Sequence, residues 1–121
     1  MSSGPLADTT SVSFDPNGGT GTMADESANV PTPLTANAFT RAGYNFIGWN
    51  TAADGSGTSY PDGAVYAFGV DPTFYAQWTA KPILTFDPNG GTGTIAPLIS
   101  DVPTNLPTTT ITRPGYKFIG W

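Results

Sequence analysis

The residues FDPNGGTGT run from Phe14 to Thr22 and recur unchanged from Phe86 to Thr94. A glycine-rich run after a strand can cradle phosphate, so this chemistry is tested first. A phosphate loop reads G-x-x-x-x-G-K-[ST], and its lysine reaches the phosphates. The two lysines here, Lys81 and Lys117, both stand outside the two copies, and neither follows the second glycine of a run. No helical pattern follows to offer its N-terminus to an anion. The dinucleotide spacing fails as well, and Asp15 would repel a phosphate. The run therefore reads as a turn. Pro16 presets φ, and Asn17, Gly18 and Gly19 accept positive φ cheaply.

Other candidate chemistry is thin. DPNGG and DGSG resemble pieces of calcium loops. They lack the Asp/Asn ladder and closing glutamate of an EF-hand. Asp54 and Asp62 with nearby carbonyls are the remaining calcium candidates, set against a reading as solvated turn carboxylates. Asp25 and Glu26 are the only adjacent acidic pair, and Pro97 and Leu98 stand at the matching places. A catalytic carboxylate pair would not be dropped from one copy of a repeated module. The chain has no histidine and no cysteine. Zinc ligands, thiol nucleophiles and a Ser-His-Asp triad are thus missing. No cofactor, no metal and no enzymatic activity are expected. Trp49, Tyr60 and Tyr75, with Tyr66, are candidate sugar-stacking rings; the competing reading places them in the core and on half-buried sheet. LPTTT at Leu106 to Thr110 lacks the rest of a sorting signal, and no lysine of the repeated pattern is available for an isopeptide bond.

Composition narrows the partners. The formal charge is −5, from nine scattered acidic and four basic residues. Without a basic patch, nucleic acid and anionic membrane surfaces are poor partners. No run is long and apolar enough to insert in a membrane. MSSGPLADTT has no charged and then apolar segment, so it is not a signal peptide; an export signal would lie outside this piece. Fifteen glycines and twelve prolines disfavour helix interiors, while 12% aromatics supply a core.

The repeat sets the organisation. TRAGYNFIGW at Thr40 to Trp49 matches TRPGYKFIGW at Thr112 to Trp121, with the same offset of 72 that relates Phe14 to Phe86. Val30-Pro31-Thr32 and Leu34 have counterparts at that offset too. Residues 1–10 read as an N-terminal tail, 11–79 as a complete repeat, 80–82 as a linker and 83–121 as a truncated second repeat. The second copy has no counterpart of Asn50 to Thr79. That segment should complete the first copy, because its loop closure is local. The second copy is then left unpaired, loosely ordered, or offering an open edge to another chain.

These residues must be positioned by strands. SVSFD alternates with the period of a half-buried strand, and Thr20 to Met23 is a candidate for its antiparallel return. Pro31 and Pro33 oppose a long helix, leaving at most single turns near Asp25 to Ala28 or Thr35 to Phe39. GYNFIGWN is a strand with large apolar groups on both faces: Tyr44, Phe46 and Gly48 one way, Asn45, Ile47 and Trp49 the other. AVYAFGV is a strand, loop or helical turn, and TFYAQW closes the unit as a strand. Phe14, Tyr44, Phe46 and Trp78 are the expected core, with Trp49 partly covered.

FDPNGGTG, GYNFIGW and TFYAQW, in that order, resemble the Listeria–Bacteroides repeat, or internalin B-repeat, of bacterial cell-surface proteins. Phe74 stands in the leucine place of the family's closing L-Y-A-Q-W. The resemblance implies a β-rich α+β fold: a small β-grasp, ubiquitin-like repeat domain with little helix, followed by an incomplete second repeat. It implies a secreted, wall- or surface-attached parent from a Gram-positive or related bacterium. The expected function is a non-catalytic spacer or stalk module, with neighbouring repeats as partners and a role in protein interaction or adhesion. The alternative is a carbohydrate-binding adhesin module that meets a host or cell-surface glycan through its aromatics.

Overall fold

A computed structural model describes residues 9–121. The expected tail, and the absence of a leader in it, fall outside the described residues for residues 1–8. The chain divides into two compact units, one through Ala80 and one from Lys81.

The first unit is one mixed sheet with a covered face. Its strands are β1 (Thr10–Asp15), β2 (Glu26–Ala28), β3 (Thr32–Pro33), β4 (Tyr44–Asn50), β5 (Ser59–Tyr60), β6 (Val65–Tyr66) and β7 (Thr73–Ala80). The five-stranded sheet has the order β2-β1-β7-β4-β5, and β3 and β6 form a separate two-stranded ribbon. The last strand, β7, lies between β1 and β4. It runs parallel to β1, with Phe14 beside Phe74, and antiparallel to β4. No hairpin can join parallel neighbours, so the whole chain between β1 and β7 is the crossover.

Alternation explains which face is covered. Val12 and Phe14 of β1, and Phe74 and Ala76 of β7, are buried. On the other face, Ser13 and Thr73 share a hydroxyl contact at 2.9 Å across the parallel pair. Leu34, Phe39, Tyr66 and Phe68 close over the buried face from the connections. Phe74 sits under edge-on Tyr60 and Tyr66, with centroids at 5.3 and 5.2 Å. Burying each large ring contributes about 2–3 kcal/mol.

Four sequence expectations need correction. Strand β4 is not a plain two-faced strand. Phe46 pairs with Trp78 but Gly48 pairs with Gln77, so Ile47 is a bulge residue. The bulge shifts the alternation by one, leaves Ile47 63% exposed and turns Trp49 into the core beside Phe46. Trp49, expected to be partly covered, is 1% exposed. Tyr44, expected in the core, stands outside the cluster and carries the Arg41 guanidinium 3.7 Å above its ring. The partner of β1 is β2 rather than Thr20 to Met23, and Thr20 instead bridges to Thr40.

Among the described residues there is no helix, so the small helical part of the expected fold is absent. Side chains satisfy the backbone where single turns were expected. Glu26 accepts hydrogen bonds from the Thr35 amide and hydroxyl at 2.6 and 2.9 Å. Asp62 accepts from the Asn37 amide at 2.9 Å. Asn37 itself accepts from the Phe39 amide and donates to its carbonyl. Such local bonds compete directly with helix formation.

The second unit repeats only the opening moves. Strands β8 (Ile83–Leu84) and β9 (Leu98–Ile99) pair antiparallel. Their register, Leu84 opposite Leu98, is that of Val12 opposite Glu26 moved by 72 residues. The bridge between Thr92 and Thr112 likewise repeats that between Thr20 and Thr40. Residues 116–121, which match β4, form no strand.

Candidate functional site

The opening glycine run is a tight turn. The Gly19 amide donates to the Pro16 carbonyl at 2.9 Å. Asn17 and Gly18 between them take φ of +47° and +95°, the pair of positive values that a type I′ turn requires. Asp15 accepts from the Asn17 amide at 2.7 Å, so its carboxylate serves the turn. The Asn17 side-chain amide donates to the carbonyls of Ala53 and Ala76, both at 2.8 Å. Trp78 donates its indole N–H to the Pro16 carbonyl at 2.9 Å. The turn is therefore the clasp that fastens β1 to β7.

One cation lies close to this turn, and the lysine-based reasoning missed it. The Arg41 guanidinium carbon lies 3.3 Å from where a side chain on Gly18 would begin. The signal was in the sequence: T-R-x-G-Y occurs in both copies, and Arg113 covers Tyr116 at 3.8 Å as Arg41 covers Tyr44. The arginine is stacked on its tyrosine and braces the turn.

The calcium candidates are engaged locally. Asp54 accepts from the Ser56 amide and hydroxyl at 3.0 and 2.6 Å. Those bonds hold its carboxyl below the usual range. Asp62 serves the Asn37 amide, 25 residues away. Among the described residues no three acidic, histidine or cysteine side chains converge.

The three candidate stacking rings do not share a surface. Trp49 is buried, with Phe14, Phe39 and Phe46 within 6.0 Å of its centroid. Tyr60 is half-buried, edge-on to Tyr66 at 5.5 Å. Tyr75 lies between Phe74 and Ala76 in β7 and so faces the opposite side of the sheet. Burial pushes the Tyr66 phenol up, with the neighbouring Tyr60 adding to the shift. Its hydroxyl donates to the Val70 carbonyl at 3.2 Å. Of the four expected core residues, Phe14 is buried, Phe46 and Trp78 pack on the cluster from its rim, and Tyr44 stands outside it.

Sequence reasoning did not single out Asn50, the one buried polar side chain among the described residues. Its oxygen accepts from the amides of Ala52 and Gly57, both at 2.9 Å. Its nitrogen donates to the Gly55 carbonyl at 3.1 Å and the Ser59 hydroxyl at 3.0 Å. One asparagine thus shapes the whole loop from β4 to β5.

One concavity is in the second unit. It is an open groove of about 780 Å³ whose walls run from Leu84 to Trp121. Its aromatic lining is uncovered: Phe118, Trp121 and Tyr116 are 47%, 54% and 67% exposed.

Comparison with known proteins follows the repeat. The pattern of the Listeria-Bacteroides repeat domain matches residues 11–77 and again residues 83–121. A protein of Evansella cellulosilytica, provisionally named a Gly-rich membrane protein, is 41% identical over 107 residues. That match takes in 82% of this chain and 11% of the relative. A second protein of that bacterium, provisionally named a membrane protein, is 52% identical over 42 residues, or 34% of this chain and 6% of its own length. The chain therefore spans about a tenth or less of the relatives it matches.

Proposed function

The chain belongs to the Listeria-Bacteroides repeat domain family, and on that premise we propose that it is a non-catalytic spacer module of a bacterial surface protein. The unit through Ala80 is the rigid piece, and successive copies set reach by simple addition. We read it as a β-grasp without its helix, because two parallel strands from the ends of the unit lie at the centre of the sheet. The observation that carries the spacer reading is where the polar side chains go. Asp15, Glu26, Asn37, Asn50, Asp54 and Asp62 each hold backbone amides of turns and connections. The glycan alternative draws no support from the rings, since Trp49 is 1% exposed. The family match supports the extracellular placement of this reading. Among the described residues no helix is long and apolar enough to cross a membrane.

Small-angle scattering on arrays of one, two and four copies of residues 11–82 tests this function. A spacer gives a maximum dimension that grows by a constant increment per copy. Arrays that collapse to a compact particle would overturn it.

A further inference from the structure

The turn after β1 contains a reactive pair. Of the five asparagines in residues 9–80, only Asn17 precedes a glycine. Gly18 has no Cβ, so its amide nitrogen can come close to the preceding side chain. That nitrogen can attack Cγ of the Asn17 carboxamide. A C–N bond forms and closes a five-membered imide. The Cγ–Nδ2 bond breaks, and the leaving nitrogen takes the Gly18 amide proton and departs as ammonia. Water then opens the imide at one of its two carbonyls, leaving aspartate or iso-aspartate at position 17. Solvent water is the only co-reactant, and Gly18 is exposed to it.

The folded unit holds this pair away from reaction. Asn17 Nδ2, the leaving group, donates to the carbonyls of Ala53 and Ala76, both at 2.8 Å. Turning Cγ toward the Gly18 nitrogen would break both bonds. The backbone is held as well. The Asn17 amide donates to Asp15 at 2.7 Å, and the Gly19 amide closes the turn on Pro16 at 2.9 Å. The two restraints on Nδ2 come from 36 and 59 residues away. They exist only while β1, β7 and the β4–β5 loop are assembled, so separating β1 from β7 frees the side chain.

The product cannot take the same place. At position 17 a carboxylate puts an oxygen without a proton where Nδ2 donates, facing the Ala53 and Ala76 carbonyl oxygens. Two buried acceptors lose their donor and meet a negative charge instead. Iso-aspartate also adds a main-chain carbon to a two-residue turn. We propose that Asn17-Gly18 is a self-modification site gated by the fold: it deamidates only in molecules whose first unit has opened, and the change keeps that unit from closing again. The clasp between β1 and β7 is thereby also a one-way record of opening.

The test incubates the full chain in heavy-oxygen water at mildly alkaline pH, in buffer and in a series of urea concentrations. Proteolysis and mass spectrometry then read the mass gain at Asn17. Its peptide is told from that of the Asn89 copy by Met23, where the copy has Ile95. Deamidation of Asn17 should be at least about tenfold slower in buffer than in urea that unfolds the unit. Through the transition its rate should track the unfolded fraction, read by near-ultraviolet circular dichroism. Asn17→Asp should melt at least about 5 °C below the parent. An Asn17→Asp chain that does not fold at all would agree with the proposal, and the rates in the parent still test it independently. After return from urea to buffer, the molecules that fail to refold should be those modified at Asn17. Equal rates in buffer and urea, a rate indifferent to the unfolded fraction, Asn17→Asp melting with the parent, or modified molecules that refold fully would each overturn the proposal.

Discussion

Replacing Asn50 by alanine should be among the most damaging single changes in the first unit. Asn50 is 1% exposed and makes four hydrogen bonds, all to the β4–β5 loop or to Ser59 in β5. Each neutral bond contributes about 0.5–1.5 kcal/mol net. Alanine leaves two amides, a carbonyl and a hydroxyl to be satisfied by water. Gly55, Gly57 and Ser59 are exposed and water reaches them, whereas Ala52 is half-buried. Summing the bonds with that relief gives a loss of about 2–4 kcal/mol. For a unit of this size, 1 kcal/mol shifts Tm by about 4–8 °C, so a drop of at least about 8 °C is expected. Calorimetry or circular dichroism measures it. Ser59→Ala should cost about 1 kcal/mol alone and close to nothing in the Asn50→Ala background, because the shared bond is already lost. A Tm within 3 °C of the parent, or full additivity of the two changes, would refute the reasoning.

Two further outcomes follow from the same geometry. Gly48→Ala should destabilise by about 1–3 kcal/mol, because φ there is +137° and the new carbon would sit 3.0 Å from the Tyr60 carbonyl oxygen; urea unfolding checks it, and an unchanged midpoint would mean the bulge is not rigid. Tyr66 has a raised pKa from an ordinary value of 10.0, so its contribution is whole below that pH and is lost as pH rises through the raised value. Stability measured by urea between about pH 8 and 11 should therefore fall more steeply in the parent than in Tyr66→Phe. Equal slopes would show that the phenol is not shielded.

Much of the frame was legible in the residues. Strands β1 and β7 announce themselves by strict alternation, and the turn after β1 by Asn-Gly. The repeat offset showed that residues 81–121 lack a counterpart of β5 to β7. Strand β4 was misread because period-two counting has no way to see an extra residue, and one bulge at Ile47 moves Trp49 from one face to the other. Strand β2, with the sequence ESA, carries no apolar alternation, so its pairing was not visible. Leu34, Phe39 and Phe68 were missed for another reason. They reach the core from irregular chain, held around Leu34 and Phe39 by Glu26, Asp62 and Asn37, and irregular backbone leaves no periodic signal. Asn50 was read only as the last residue of the strand GYNFIGWN. Nothing local distinguishes it from Asn45, and only the fold places four partners around it.

The central claim is that one strand, β7, turns these motifs into a stable unit. Two nearly identical segments, GYNFIGW and GYKFIGW, offer an internal control, since only the first has β7 beside it. Native-state amide hydrogen exchange on the full chain reads both at once. Amides of β1, β4 and β7 should exchange together at the free energy of unfolding the first unit, while those of residues 116–121 exchange orders of magnitude faster. Equal protection in the two segments would contradict the account.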